Sequence, residues 1–236
     1  MVKDDFAAIA EGGVLRVAIN TGNRALVQAD GNTLGGVSPA LARRLAARLG
    51  LTLKPVIYDG AGKVFADAGH NLWDVAFLAI DATPAKQISF TRPYHVIEAT
   101  YAARTAALTT STIQDASDAD REGVHILTFT GSAYDMYLSA NLRNAQLEHS
   151  GTPTESFEEF HQGRCELVAG VRISLERHFA DDAGIRILPG RLTSVSQAMV
   201  LPGQGNSLID TLDHFVAEAI ADGFVASELH GPGAGN

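Results

Sequence analysis

The chain is poor in the residues that most often announce a chemistry. It has one cysteine, Cys165, in 236 residues, which excludes an intrachain disulfide and any multi-thiolate metal site. The eight histidines are scattered and show neither HExxH nor any Cys/His ligand spacing. There is no Walker loop, no GxGxxG after a strand and no GxSxG elbow. No metal, no cofactor and no covalent nucleophile is therefore expected. Positive charge is scarce too: 18 Lys and Arg stand against 27 Asp and Glu, a net charge of −9. The densest basic spot, Arg43-Arg44 with Arg48, falls inside a helical pattern, so nucleic acid is not expected as a partner. No apolar run reaches the length of a membrane span, so no membrane insertion is expected. The opening MVKDDFAAIAEGG is too polar for a secretory signal. Either the protein is cytoplasmic, or a signal was removed, a start methionine supplied, and the protein is periplasmic.

What remains is the composition of a globular α/β protein, 46% hydrophobic and 19% charged, long enough for one large domain or two small ones. Residues 4–11 suggest a short helix ending at Gly12-Gly13. Val14 to Ile19 alternates as a first strand, with Leu15, Val17 and Ile19 on one face. It runs into Asn20-Thr21-Gly22-Asn23, which reads either as a plain turn or as a pocket lined by Asn20 and Asn23. A Gly-rich turn over 30–36 follows, then a helix over 39–49 with Ser38 as its cap, Pro39 at its first position and its arginines on a solvated face. Leu51 to Tyr58 is a second strand, and a short helix lies around Lys63 to Ala68. Val75 to Ile80 is a buried strand that stops at Asp81, and Thr83-Pro84 breaks regular structure. Strand, helix, strand, helix, strand favours a parallel sheet covered on both faces. Ligands of such sheets sit beyond the carboxyl ends of strands, which singles out residues 81–86.

An apolar pattern resumes at Ile88, Phe90 and Tyr94, and 96–103 is extended. The Thr/Ser-rich, charged stretch over 105–122 is the clearest composition shift and a candidate domain crossing. Val124 to Phe129 is a strand, and Thr130-Gly131-Ser132-Ala133 leads into a helix from Tyr134 to Leu142. Free N–H groups at such a start suit a carboxylate or phosphate, although Ser is also the common N-cap. A helix over 154–163, a strand over 165–170, a helix over 175–180 and a strand over 185–188 follow. Gln197 to Leu201 is extended, 202–205 turns, and 207–229 is amphipathic helix interrupted at Gly223. The tail GPGAGN reads as disordered. His125 reads as a strand residue, Cys165 as a small core residue, and the paired acids at 4–5, 158–159 and 181–182 as solvated.

Three segments, quoted in order, carry a family resemblance. VLRVAI with GGVSPALARRLAARLGL is the first. WDVAFLAIDATPAKQISFTRPY is the second. TFTGSAYDMYL, SFEEFHQGRCELVAGVR and QAMVLPGQGNSLIDTLDHFVAEAIADGFVASEL form the third. Together they resemble the amino-acid-type (family 3) solute-binding proteins of ABC importers. The resemblance implies an α/β, two-lobe, type 2 periplasmic-binding-protein fold, each lobe a sheet flanked by helices. Lobe one would be 1–98 plus 195–236 and lobe two 99–194, joined by hinge crossovers near 96–103 and 191–198. A small ligand would be trapped between lobes by hinge closure. The expected ligand is an amino acid, a derivative of one or a small carboxylate. The expected partners are that ligand and a membrane permease, and the protein would be monomeric.

The departures bear on the ligand. Where the family carries an arginine that forks the ligand carboxylate, this chain has Lys86, three residues after Thr83, and lysine offers no planar fork. Where an aspartate follows the second-lobe strand, this chain has Val171 and then Arg172. An acid on lobe one and a base on lobe two suggest exchanged polarity: Arg172 and the Thr130–Ala133 helix start hold a carboxylate while Asp81 takes an amine or hydroxyl. The alternative is that Asp81 and Arg172 pair with each other or with neighbours. The ligand set expected is Asn20, Asn23, Asp81, Thr83, Lys86, Thr130, Gly131, Ser132, Tyr134, Arg172 and Gln197. Two other functions fit the same architecture. One is a cyclohexadienyl-dehydratase-like lyase with Asp81 or Glu98 as acid, and the other a cytoplasmic ligand-sensing module.

Overall fold

The computed structural model of the chain describes residues 10–31, 33–80, 87–105 and 112–230. The expected helix at 4–11, apart from its last two residues, and the tail after residue 230 lie outside them, as do Asp4 and Asp5. In chain order the first elements are β1 (Val14–Asn20), β2 (Gln28–Asp30), β3 (Thr33–Gly35), α1 (Val37–Leu49), β4 (Thr52–Tyr58), α2 (Ala61–Ala66), β5 (Val75–Ala79) and β6 (Ile88–Arg104). Then come β7 (His125–Phe129), α3 (Ala133–Asn141), β8 (Gln146–Ser150), α4 (Pro153–His161), β9 (Leu167–Val171), α5 (Arg172–His178) and β10 (Ile185–Ile187). The chain closes with β11 (Thr193–Pro202), α6 (Ile209–Ala221) and α7 (Phe224–His230). Two compact units divide it: 1–96 with 195–236, and 97–194. The chain passes from one to the other within β6 and returns within β11.

In the first unit β1 runs parallel to β4, from Val14↔Thr52 to Asn20↔Tyr58, and parallel to β5 at Val17↔Val75. Leu15, Val17, Ala18 and Ile19 are all buried, so both faces of β1 are covered, as a central parallel strand requires. β11 lies antiparallel on the far side of β5, with Gln197 opposite Ala79. One core cluster holds Ala18, Val64, Trp73, Ala76, Leu78, Ile88 and Val200. Trp73 is fully buried and donates its indole N–H to the Val64 carbonyl at 3.1 Å, which satisfies its one polar atom.

Three expectations need correction in this unit. Helix α1 starts at Val37, and its cap is Gly36, not Ser38. Gly36 has φ 90°, and a Cβ there would stand 2.5 Å from the Leu26 carbonyl oxygen, so only glycine fits. Ser38 sits within the first turn and bonds the Tyr94 hydroxyl at 2.9 Å instead. The arginines of α1 are not simply solvated: Arg44 pairs with Asp222 and Arg48 with Glu218, and the Arg44 guanidinium lies 4.5 Å from the Phe224 ring centre. They fasten α6 and α7 to α1. The glycine-rich turn over 30–36 is in part a small hairpin, β2 with β3.

In the second unit β7 is parallel to β8 and to β9, and β6 is antiparallel to β9, with Ala99 opposite Val171. β10 pairs with β6. Strand β8 was not expected, because QLEHS has only Leu147 to mark it as a strand. The composition shift at 105–122 falls inside this unit and is not a crossing. Ile113, Ala116 and Ala119 from it are buried in the core with Tyr101, Ile126, Leu138 and Leu167. Cys165 precedes β9 and packs with Leu127, Phe157, Phe160 and Phe179.

Candidate functional site

The first unit brings polar groups to one sheet edge. Asn20 ends β1, Tyr58 ends β4, and β5 ends at Ala79, all at the same edge because these strands are parallel. The turn after β1 is tightly built. The Asn20 Oδ1 accepts the Gly22 N–H at 3.0 Å, and Thr21 donates both its N–H and its hydroxyl to the Tyr58 carbonyl, at 2.8 and 3.0 Å. A Cβ on Gly22 would meet the Asp59 carbonyl oxygen at 2.6 Å. Asn23 then reaches β11, its Nδ2 donating to the Gln197 Oε1 at 3.2 Å. Gln197 is buried, and the Ile80 N–H donates to the neighbouring Ser196 carbonyl at 2.9 Å. Of the residues singled out on this side, the structure thus brings Asn20, Asn23 and Gln197 together. Asp81, Thr83 and Lys86 lie outside the described residues.

In the second unit Thr130, Gly131 and Ser132 form the loop between β7 and α3. The Thr130 N–H and hydroxyl both donate to the Ser150 carbonyl on β8, at 3.1 Å each. Gly131 has φ 81°. Ser132 caps α3 by accepting the Asp135 N–H at 3.0 Å. The Tyr134 ring is buried against Phe129, and burial pushes its phenol up to about 12.

Sequence reasoning missed Asp135. Its carboxylate is buried, accepts the Gly131 N–H at 2.8 Å and faces the His149 Nε2 at 2.9 Å. A carboxylate from the chain itself therefore stands at the helix start whose N–H groups suit an anion. The Ser-x-x-Asp spacing, akin to a capping box, was the available signal.

Arg172 opens α5. Its Nε donates to Glu98 at 3.2 Å, its Nη1 to the Leu188 carbonyl at 3.3 Å, and its Nη2 to the Gly190 carbonyl. Arg172 thus pairs with a neighbour, Glu98, while Asp81 lies outside the described residues. Glu98, the other acid considered for catalysis, also lies 3.7 Å from Arg191. It is thus an ion-pair partner of two arginines. Cys165 is buried, and burial with the nearby Glu148 pushes its thiol up to about 12. Among the described residues no group of three His, Cys, Asp or Glu side chains is placed to hold a metal ion, and no helix is long and apolar enough to cross a membrane.

A family model described as bacterial extracellular solute-binding proteins, family 3, matches residues 15–227. The chain belongs to that family. Three solved structures share its fold. An ancestral cationic amino acid solute-binding protein is 16% identical, with a TM-score of 0.77 over 97% of this chain and 98% of its own. A putative ABC-transporter binding component from Wolinella succinogenes, complexed with lysine, is 20% identical, with a TM-score of 0.71 over 93% and 94%. An amino acid ABC transporter substrate-binding protein from Streptococcus pneumoniae, bound to L-arginine, is 17% identical, with a TM-score of 0.66 over 97% and 95%. No curated relative matches the chain by sequence. The α/β, type 2 periplasmic-binding-protein fold expected from the sequence is borne out. A solute-binding protein takes a small-molecule ligand, and family 3 is described as extracellular.

Proposed function

We propose that this chain reversibly binds a free amino acid, or a close derivative, and hands it to a membrane permease without changing any bond. The reading rests on the family match over 15–227, and on the Asn23–Gln197 bond, which closes a polar edge at the carboxyl ends of β1 and β5. That edge is where a parallel sheet receives a ligand. On the first unit the proposed contacts are Asn20, Asn23, Gln197, Asp81, Thr83 and Lys86. On the second unit they are Thr130, Gly131 and Ser132. Arg172 serves them indirectly, by pinning the Leu188 and Gly190 carbonyls beside Glu98, and Tyr134 serves as the packed floor of the loop. The protein is proposed to act as a monomer outside the cytoplasm.

The test is a thermal-shift series with L-lysine, L-arginine and L-glutamate. The expected result is a midpoint that climbs with concentration for at least one of them. One-site binding stabilises the folded state by RT ln(1 + [L]/Kd), about 2.7 kcal/mol at a hundredfold excess. Midpoints that stay flat for all three amino acids would defeat the proposal.

A further inference from the structure

We infer that Asp135 is the residue that positions the Thr130–Ser132 loop for its ligand, acting through a His149–Asp135–Gly131 chain of hydrogen bonds. The inference rests on the reading above that this loop touches the ligand. It goes further by naming what fixes the loop's backbone.

The two oxygens of Asp135 do different work. Oδ2 accepts the Gly131 N–H at 2.8 Å, and Oδ1 faces the His149 Nε2 at 2.9 Å. A carboxylate can only accept, so that ring nitrogen carries the proton. The N–H of Asp135 donates to Ser132 Oγ at 3.0 Å, so a single residue ties the loop at two successive positions. Asp135 is itself 7% exposed and is carried on the first turn of α3, a rigid element. Gly131 has φ 81°, while a Cβ there would meet nothing within 4 Å, so glycine is favoured here by its left-handed backbone and not by lack of room. The hydrogen bonds from Gly131 to Asp135 and from Thr130 to Ser150 tie the loop in that conformation. Strand β8 supplies the rest of the tether. Its Ser150 carbonyl takes Thr130, and its His149 ring takes Asp135.

A contact loop off by a fraction of an ångström loses affinity without unfolding the protein, because binding geometry must be pre-formed. A positioning role therefore separates from a structural one in two readouts. One is exchange of the Gly131 amide in the ligand-free protein, followed by NMR. The other is the Kd for whichever of L-lysine, L-arginine and L-glutamate shifts the wild-type midpoint most. Asp135→Ala is expected to speed Gly131 exchange about tenfold or more and to weaken binding by a similar factor, the equivalent of about 1.4 kcal/mol. His149→Ala should lose part of this affinity, and His149→Gln, which keeps an N–H donor, should recover most of what His149→Ala loses. Should Asp135→Ala not fold, Asp135→Asn is read by Kd alone, since its single amide oxygen can serve Gly131 or His149 but not both. A folded Asp135 variant with wild-type Kd, or Asp135→Ala with unchanged Gly131 exchange, overturns this inference alone. Absence of binding of all three amino acids to the wild type overturns the proposed function and takes the inference with it.

Discussion

Removing the Asp74 carboxylate should destabilise the first unit more than any surface change, because that one group joins the two strands on which the polar edge is built. Asp74 precedes β5 and is 2% exposed. Its oxygens accept the Arg16 backbone N–H at 2.7 Å, the Arg16 Nε at 3.2 Å and the Arg16 Nη2 at 2.6 Å, and its own N–H donates to the Arg16 carbonyl at 2.9 Å. Asp74→Ala strips three kinds of acceptor contact and leaves a guanidinium without its carboxylate. Breaking a buried pair from one side costs about 3–5 kcal/mol. Arg16 is 19% exposed in its side chain and keeps the Asn71 carbonyl and side-chain oxygen, at 2.5 and 2.6 Å. The expected loss is therefore about 2–4 kcal/mol. For a chain of this size that is a fall in Tm of about 6–12 °C near the middle of the range. Asp74→Asn, which can still accept from the Arg16 N–H, should lose about 1–2 kcal/mol. The assay follows urea unfolding by the fluorescence of Trp73, the only tryptophan and the immediate neighbour of Asp74. Trp73 belongs to the first unit, so its transition reports on that unit. The midpoint should move down by about 1 M urea or more. A Trp73 transition in Asp74→Ala that coincides with wild type would refute the argument, as would a double-mutant cycle with Arg16→Ala showing no coupling.

Three further outcomes follow from single geometries. Gly36→Ala forces both a φ of 90° and a Cβ 2.5 Å from the Leu26 carbonyl, and should cost about 2 kcal/mol or more by urea denaturation, where Gly203→Ala, with open space around it, should cost less. Burial acts upward on the Asp120 carboxyl, but the N–H groups of Ala145, Asn144 and Arg143 outweigh it and hold its pKa below the ordinary value. Its stabilisation is thus complete above about pH 4, the unfolded value, and is lost as pH falls through the folded one. Asp120→Asn should cost about 1–2 kcal/mol near neutrality, and the gap to wild type should close in acid; a gap independent of pH would contradict this. Cys165, with its thiol pushed up to about 12, should resist a thiol-disulfide reagent in the native protein at about pH 8 and react at once when unfolded; fast native labelling would contradict its burial.

The elements that were legible beforehand are those whose own residues carry the period. Val14–Asn20 and Val75–Ala79 announce themselves by apolar content, and Ile209–Ala221 with Phe224–His230 by amphipathic spacing and the glycine between them. β8 was not legible, because its five residues are mostly polar and its place depends on backbone pairing to β7. The misplaced cap of α1 has a similar origin. Ser38-Pro39 has the local signature of a helix start, yet the approach of Leu26 to Gly36, ten residues earlier in the chain, decides where the helix begins.

The candidate site divides along the same line. Residue types at strand ends, Asn20 and Asn23 after β1 and the Thr130–Ser132 run after β7, could be picked out by position alone, since strand and loop are local properties of the chain. Which of them meet could not. Asn23 and Gln197 are 174 residues apart and touch only because β11 lies antiparallel on β5 in one register. The place of Arg172 after a strand left both a ligand and a neighbour open as its partner, and the fold sets it beside Glu98 and two carbonyls. Asp135 looked like any helix residue until α3 and β8 packed and set it between Gly131 and His149. Sequence determines where polar groups interrupt apolar periods, because that pattern is written residue by residue. Only the tertiary structure determines which of those groups are consumed by one another, because a hydrogen bond needs two partners within about 3 Å and their separation is set by the register of strands far apart in the chain.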